Sequence, residues 1–317
     1  MSDMGEQGVS RGRGGESFWW AALQQAPGIG AGTMLRLARV FGSPEAAVHA
    51  SLDELRGRGK LSERQAKAVL AVREEDALLR HRIEGWAAQG IELISIDDTR
   101  YPRALHDLRS PPPLLYVKGT LEPTDARAVA VVGTRSPSRE GSAVARRLGR
   151  ELARRGYTIV SGLARGIDTA GHRGALEAEQ GRTIAVMGCG LLRVYPPENG
   201  LLAGKVAAAG CLMAEVPPET EVRPELLLAR DRVQAALSRA VIVVQAQGEC
   251  GSIVTARHTV RCRRLLYGVP WEEAPFSEGW EALRSMGARP LTGDSDLDSV
   301  CAEIDGDSPE ALQERLV

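Results

Sequence analysis

Three glycine-rich segments of the sequence contain residues that could hold a phosphate group. They are residues 133–141, 161–168 and 248–256. Glycines allow the backbone to turn tightly and to approach a ligand closely, and small hydroxyl side chains add hydrogen-bond donors. Arg135 and Arg165 supply planar guanidinium groups that suit phosphate oxygens. The segments therefore predict a phosphate-binding rim, while the competing interpretation is that Gly and Ser simply shape tight βα turns.

Each of these segments follows a short apolar run, and the runs predict the elements that position them. The apolar runs are residues 128–132, 158–160, 183–187, 212–216, 240–244 and 265–269. Continuous apolar runs with helix-length connections are typical of parallel strands covered on both faces. We predict an α/β domain with a doubly wound, mainly parallel, Rossmann-like sheet, whose strand ends bring the glycine-rich segments together.

The rest of the chain divides by composition and pattern. Residues 1–17 are rich in Gly, Ser and Arg and are expected to form a flexible tail. Residues 18–85 show apolar positions at helical spacing, which predicts a small helical domain. Residues 86–271 form an extended sheet domain. Residues 272–317 contain 12 acidic and three basic residues, so we expect an acidic C-terminal tail, too short and too acidic for a full winged-helix domain that binds DNA.

Charge and motifs exclude several kinds of site. Without the acidic segment, the chain has 37 Lys and Arg against 29 Asp and Glu, a balance that suits a polyanionic partner or, equally, an ordinary solvated surface. The five cysteines have no CxxC spacing, so we expect no metal site, no disulfide framework and a cytoplasmic location. No apolar run is long enough to span a membrane.

The sequence also lacks the signatures of a nucleotide cofactor and of a catalytic site. The first glycine-rich segment has no G-x-G-x-x-G pattern, and residues 200–206 are one residue short of a P-loop, so we expect no cofactor. Asp168 and His172 are four residues apart and near Ser161, as an acid–base pair would be. The favoured interpretation is that Asp168 caps the following helix and that His172 packs locally.

Several motifs in a fixed order resemble the DNA-processing protein A (DprA, or Smf) family. The matching segments are residues 130–135, 161–168 with His172, 195–199, 229–232 and 251–257. Residues 101–102 and 113–119 resemble the family's lead-in to the sheet. Residues 27–30 and 41–46 resemble its small helical domain, of the SAM or helix-hairpin-helix type. The resemblance extends from about residue 20 to residue 270.

The resemblance implies a protein that binds single-stranded DNA in natural transformation and recombination without being an enzyme. Family members protect incoming strands and help to load RecA recombinase, and they act as homodimers, without a membrane or a cofactor. Strand binding that is independent of sequence rests on phosphate neutralisation with some base stacking. The implied DNA- and phosphate-binding residues are Gly133, Thr134, Arg135, Ser161, Gly162, Arg165, Gly166, Arg230, Arg232, Gly251 and Ser252.

This chain departs from the family pattern at two places near the implied site. Asp231 stands between Arg230 and Arg232, where members usually have asparagine, and it places an acid among phosphate ligands. Residues 226–228 are leucines, where members usually have an aromatic that can stack on a base. Two alternatives stay open: a nucleotide-derived small-molecule sensor or hydrolase on the same fold, and an interaction scaffold whose acidic tail covers the basic site.

Two further basic features each allow a DNA-binding and a structural interpretation. The turn at residues 27–30, with Arg36 and Arg39 nearby, resembles a hairpin that contacts phosphates, but it also fits an ordinary packing turn. A predicted helix is basic on one side, and this side either follows a DNA strand or is an ordinary solvated face. The basic residues are Arg146, Arg147, Arg150, Arg154 and Arg155.

Overall fold

A computed structural model describes residues 15–248 and 250–306 and divides them into two compact units. The helical unit comprises residues 15–101 and 110–115, and the sheet unit comprises residues 102–109 and 116–306. The expectations for residues 1–14 and 307–317 lie outside the described residues. Within the described part of the chain, no helix has both the length and the apolar character needed to cross a membrane.

The helical unit contains six helices and one strand of the described chain. They are α1 (Gly15–Gln25), α2 (Ala31–Phe41), α3 (Pro44–His49), α4 (Leu52–Gly57), α5 (Glu63–Ala71), α6 (Asp76–Ala87) and β1 (Ile91–Ser95). Ser51 and Ser62 begin α4 and α5 with capping boxes, which satisfy backbone groups at the helix starts. Trp20 and Trp86 are buried, and Trp20 Nε1 donates a hydrogen bond to Asp97 at 3.0 Å.

The turn at residues 27–30 is held by contacts inside the helical unit. Gly28 has a φ of 81°, and its carbonyl oxygen accepts a hydrogen bond from Gln65 Nε2 at 2.9 Å. The guanidinium of Arg36 donates to the carbonyl oxygen of Gly59. One of the two arginines near this turn therefore stabilises the backbone of its own unit.

The sheet unit alternates strands and helices along the chain. Its strands are β2 (Leu114–Gly119, which begins in the helical unit), β3 (Ala128–Val132), β4 (Thr158–Ser161), β5 (Thr183–Met187), β6 (Gly210–Ala214), β7 (Ala240–Val243), β8 (Leu265–Gly268) and β9 (Arg289–Pro290). Its helices are α7 (Arg139–Arg154), α8 (Ile167–Ala175), α9 (Gly200–Ala209), α10 (Pro224–Leu237), α11 (Gly251–Arg261), α12 (Phe276–Ser285) and α13 (Asp294–Gly306).

The strands lie in the order β2-β6-β5-β4-β3-β7-β8-β9, and every described pairing from β6 to β9 is parallel. Only the β2–β6 pair is antiparallel among these strands. The predicted doubly wound, mainly parallel sheet is therefore confirmed. Strand β6 begins two residues before the apolar run at 212–216, because Gly210 pairs with Thr183 at the start of β5.

Helices α7 and α8 approach each other closely because glycines lie between them. A Cβ atom on Gly149 would lie 2.3 Å from the carbonyl oxygen of Gly171, and one on Gly174 would lie 1.9 Å from that of Arg146. Neither distance is possible for a real Cβ atom, so the present spacing of the two helices requires glycine at both positions.

The acidic segment contributes α12, β9 and α13 to the sheet unit. Leu297, Val300 and Ile304 of α13 are buried in the core that α7, α8 and the strands share. Asp305 pairs with Arg127 at 2.9 Å, immediately before β3, and Asp298 pairs with Arg155 at 3.0 Å, shortly before β4. Helix α13 therefore lies at the amino-terminal ends of the central strands.

Two helical glycines should respond in opposite ways to substitution by alanine, because one lies at the close contact between α7 and α8 and the other faces open space. Gly174→Ala should lower the free energy of unfolding by about 1–3 kcal/mol, because the new methyl group overlaps backbone atoms. Gly204→Ala in α9, where nothing lies within 4 Å, should raise it by about 0.5–1 kcal/mol. Urea denaturation measures both values. Equal effects of the two substitutions would contradict the tight helix contact.

Candidate functional site

A cavity of about 570 Å³ opens at the carboxyl ends of the central strands. It is bordered by residues that follow β3, β4 and β7 and by one face of α10. Strand β3 lies between β4 and β7, so the chain leaves the centre of the sheet in both directions at this point. Ligands of open α/β sheets bind at such a switch point, which makes this cavity the candidate site.

The cavity brings together more than half of the predicted binding residues. Those that line it are Gly133, Thr134, Arg135, Arg230, Gly251 and Ser252. The Thr134 amide donates to the carbonyl oxygen of Gln245 at 2.7 Å, and the Thr134 hydroxyl accepts from the Ser136 amide at 3.2 Å. These bonds hold the loop so that the Arg135 side chain projects into solvent at the rim.

Ser161 and Gly162 do not line the cavity, because the fold uses their polar groups internally. The Ser161 hydroxyl is fully buried and donates to the carbonyl oxygen of Val131 at 2.7 Å. The Gly162 amide donates to Asp168 Oδ2 at 3.0 Å. Both residues therefore fix the conformation of the loop after β4, beneath the cavity, through hydrogen bonds within the fold.

Gly162 also makes room for the guanidinium of Arg230. A Cβ atom at residue 162 would lie 1.5 Å from Arg230 Nη1. Arg230 is only 5% exposed; it donates to the carbonyl oxygen of Val186 at 2.6 Å and pairs with Asp231 at 2.9 Å. Arg230 thus lies at the floor of the cavity with its charge already partnered.

Asp231 places a carboxyl group on the same floor. It is 5% exposed, and its Oδ1 atom accepts a hydrogen bond from Gln234 Nε2 at 3.0 Å. The pKa of Asp231 is raised to about 6, chiefly because the group is buried and also because Asp168 lies nearby, while Arg230 and Arg135 oppose the shift. The floor is therefore partly anionic near neutral pH, and a phosphate is better accommodated at the rim.

The remaining predicted residues lie outside the cavity. Arg165 is exposed on the neighbouring loop and pairs with Glu198. Gly166 has a φ of 75°, and a Cβ there would lie 2.4 Å from the carbonyl oxygen of Thr134, so it fixes the contact between the two loops. Arg232 pairs with the partly buried Glu215, whose pKa is raised because the carboxyl group is shielded from water.

Several residues that the sequence did not assign to the site also line the cavity, and four of them bear on what it can bind. They are Tyr195, Arg223, Leu227 and Leu228. Leu228 is 48% exposed, so the leucines in place of the family aromatic present an apolar surface to the cavity. The signal for Tyr195 was its place in the motif at residues 195–199, and Arg223 carries no comparable sequence signal.

Asp168 and His172 do not form an acid–base pair at the cavity. His172 is fully buried and its Nδ1 lies 2.7 Å from Thr183 Oγ1; burial, with Arg230 nearby, lowers its pKa to about 3. Asp168 is the second residue of α8, whose N-cap is Gly166. Asp168 accepts amide hydrogen bonds from Gly162 and Ala164 and therefore holds the preceding loop, so the favoured helix-cap interpretation was wrong.

The described part of the acidic segment does not cover the cavity. None of residues 272–306 lines it, and α13 lies at the opposite, amino-terminal ends of the strands. Within these residues, the acids that pair with arginines stabilise the sheet unit and leave the cavity open.

The raised pKa of Asp231 predicts a specific pH dependence of stability. In the unfolded chain its pKa is about 3.9, so the folded state binds more protons between pH 4 and pH 6. This residue should therefore reduce stability as the pH rises through that window, by roughly 2–3 kcal/mol in total. Urea denaturation at a series of pH values should show a loss that is larger by this amount in the wild type than in Asp231→Asn, because Asp168 and Glu215, whose pKa values are also raised, are present in both proteins. Parallel pH profiles for the two proteins would disprove the assignment.

Comparison with known proteins identifies relatives of the chain. The family model for DNA recombination-mediator protein A matches residues 92–302. Protein Smf of Synechocystis sp. is 35% identical over 262 residues, which are 80% of this chain and 65% of that protein. The chain thus spans just under two thirds of the length of this relative.

Two solved structures are also similar. The X-ray structure of DNA processing protein A from Streptococcus pneumoniae has a TM-score of 0.78 at 28% identity and covers 89% of this chain and 97% of that one. The Helicobacter pylori protein, whose structure is described for its single-stranded DNA binding mode, has a TM-score of 0.61 at 28% identity and covers 67% and 96%. Since the family model matches most of the chain, the chain belongs to the DNA recombination-mediator protein A family.

Proposed function

We propose that this chain binds single-stranded DNA, independently of its sequence, at the cavity on the carboxyl edge of the sheet. The observation that carries the proposal is the exposed side chain of Arg135 at the rim of this cavity. The family supports it, because the structure of one member is described for its single-stranded DNA binding mode. In this mode of binding, the phosphates lie at the rim and a base enters the cavity.

The rim provides two positive features for a phosphate, a guanidinium group and a helix N-terminus. Arg135 has no ion pair within the described residues, so its guanidinium is available to phosphate oxygens without breaking another contact. Helix α11 begins at Gly251, and its N-cap Cys250 makes no side-chain capping bond. The positive end of this helix dipole therefore adds to the attraction for an anion.

The walls of the cavity suit a base better than a second phosphate. Tyr195, Leu227 and Leu228 offer an aromatic ring and apolar side chains. The volume of about 570 Å³ is within the range of pockets that hold ligands of nucleotide size. Contacts of this kind accept any base, because every base has an apolar face.

The wider role rests on family membership. Strand protection, RecA loading, homodimer formation and a cytoplasmic role in transformation and recombination without catalysis are part of this proposal. Nuclease protection of a coated strand and the rate of RecA filament nucleation on it would test the first two functions directly.

Removing Arg135 at the rim together with Arg165 on the neighbouring loop should weaken DNA binding without creating base preference. For Arg135→Gln with Arg165→Gln, we expect the affinity for an oligo-dT of roughly 40 nucleotides to fall at least tenfold at low salt. The salt slope should fall by about 1.4, because each lost phosphate contact contributes about 0.7. Fluorescence anisotropy across a salt series, with oligo-dT and oligo-dA, measures both quantities.

The matched control is Arg103→Gln with Arg109→Gln, which changes the net charge equally at two exposed positions away from the cavity. This control should bind like the wild type. If the variant that lacks Arg135 and Arg165 is folded and retains wild-type affinity, the site is wrong.

Asp231→Asn should strengthen DNA binding above pH 7 and remove part of its pH dependence. In the wild type, affinity should rise as the pH falls through about 6, because protonation of Asp231 removes a negative charge beneath the rim. The variant, which restores the family's usual residue, should bind several-fold more tightly at pH 8 and show a flatter profile. Anisotropy at constant ionic strength tests this, and a wild-type profile without the rise would contradict it.

A nucleotide-derived small molecule is the second candidate ligand. The buried Asp231 favours it, because a small ligand with hydrogen-bond donors can reach the floor without a path for a strand. A thermal shift with free nucleoside phosphates, together with no binding of oligo-dT at low salt, would select this candidate over DNA.

A further inference from the structure

A second basic surface lies between α7 and α8 and is separate from the cavity. It is a groove of about 760 Å³, here named the arginine groove, lined by five arginines and one glutamate. The arginines are Arg139, Arg146, Arg147, Arg150 and Arg173. The glutamate is Glu177, which pairs with Arg146.

The arginines meet in one groove because of helix periodicity and the glycine contacts. Arg139, Arg146 and Arg150 are seven and four residues apart, so they project from one face of α7. The close approach at Gly149 and Gly174 brings Arg173 of α8 beside them. The floor is made of small residues such as Ser142 and Ala170, which leave room for a phosphate chain close to the helices.

The positive charge of the groove is only partly compensated. Arg146 and Arg150 have side chains that are 58% and 43% exposed, although each pairs with a glutamate. Arg139 and Arg173 are also exposed, and neither has an ion pair or a hydrogen bond in the described part of the chain. A groove with this excess of guanidinium groups attracts an anion with several charges.

The groove adjoins the rim of the cavity, because a residue that lines the groove contacts a residue that lines the cavity. Gly166 lines the groove. A Cβ atom on this residue would lie 2.4 Å from the carbonyl oxygen of Thr134 and 2.7 Å from Cδ of Pro137, so the two loops are in close contact. Thr134 in turn lines the cavity, and Arg165 precedes Gly166 on the exposed loop. A chain of phosphates that leaves the rim at Arg135 can therefore continue past Gly166 into the groove.

We infer that the arginine groove is a second phosphodiester-binding site, which holds the backbone of a DNA strand beyond the segment bound at the cavity. This inference rests on the proposed function. The groove binds phosphates and not bases, because its lining contains guanidinium groups and small residues and no aromatic ring. Its contribution is consequently independent of base sequence, sensitive to salt and confined to strands long enough to reach it.

The test uses Arg139→Gln with Arg173→Gln, because these two side chains form no ion pair and no hydrogen bond in the described residues. Fluorescence anisotropy is measured at several salt concentrations with oligo-dT of about 8 and about 40 nucleotides. The variant Arg103→Gln with Arg109→Gln again controls for net charge.

We expect the groove variant to bind the short strand within about twofold of the wild type and the long strand about fivefold to tenfold more weakly. Its salt slope on the long strand should be lower by about 1.4, the value for two lost phosphate contacts. The control variant should match the wild type on both strands.

Three results would overturn the inference. If the groove variant keeps the wild-type affinity and salt slope on the long strand, the groove does not contact DNA. Its arginines would then serve a different anionic ligand. Equal losses on both strands would show that the substitutions act on the cavity or on the fold. If the wild type itself binds neither strand at low salt, the proposed function fails with the inference, and this result is visible without any variant.

Discussion

The floor of the candidate site depends on one buried guanidinium group. Arg230 of α10 donates to the carbonyl oxygen of Val186 on β5 and pairs with Asp231, and its charge also opposes the raised pKa of Asp168. Removing one partner from a buried ion pair costs about 3–5 kcal/mol, because the other charge is left in a low dielectric. Arg230 therefore links α10 to the end of β5 and to the loop after β4, so each of these elements depends on the others for its position. The guanidinium group fits there because Gly162 has no side chain.

A related steric constraint determines the surface around the site. Gly166 lets the loop after β4 contact the loop after β3, while Gly149 and Gly174 let α8 contact α7. In each case a backbone carbonyl oxygen occupies the place of a Cβ atom. The same contacts that fix the rim of the cavity therefore align the arginines of the neighbouring groove, so one set of glycines shapes both basic surfaces.

Charged residues have different roles at the two ends of the strands: they stabilise packing at one end and surround the cavity at the other. Acids of the C-terminal segment pair with Arg127 and Arg155 at the amino-terminal side of the strands, where they stabilise the packing of α13. At the carboxyl side, exposed arginines surround a floor that holds the carboxyl group of Asp231. This arrangement favours a ligand whose phosphates stay at the surface and whose less polar part enters the cavity.

The sequence by itself determined the order of the strands along the chain, the parallel sheet and the loops that form the rim. These features depend on local patterns, namely apolar runs and glycines next to arginine. Only the tertiary structure decided which way each polar group points. Ser161 bonds to Val131, 30 residues earlier, and Arg232 pairs with Glu215. Tyr195 lines the cavity although it lies well before α10 in the sequence, and Arg223 lines it as the N-cap residue of α10. A side chain's partners depend on residues far away in the sequence, so its type and spacing predict what it can bind but not whether the fold has already used it.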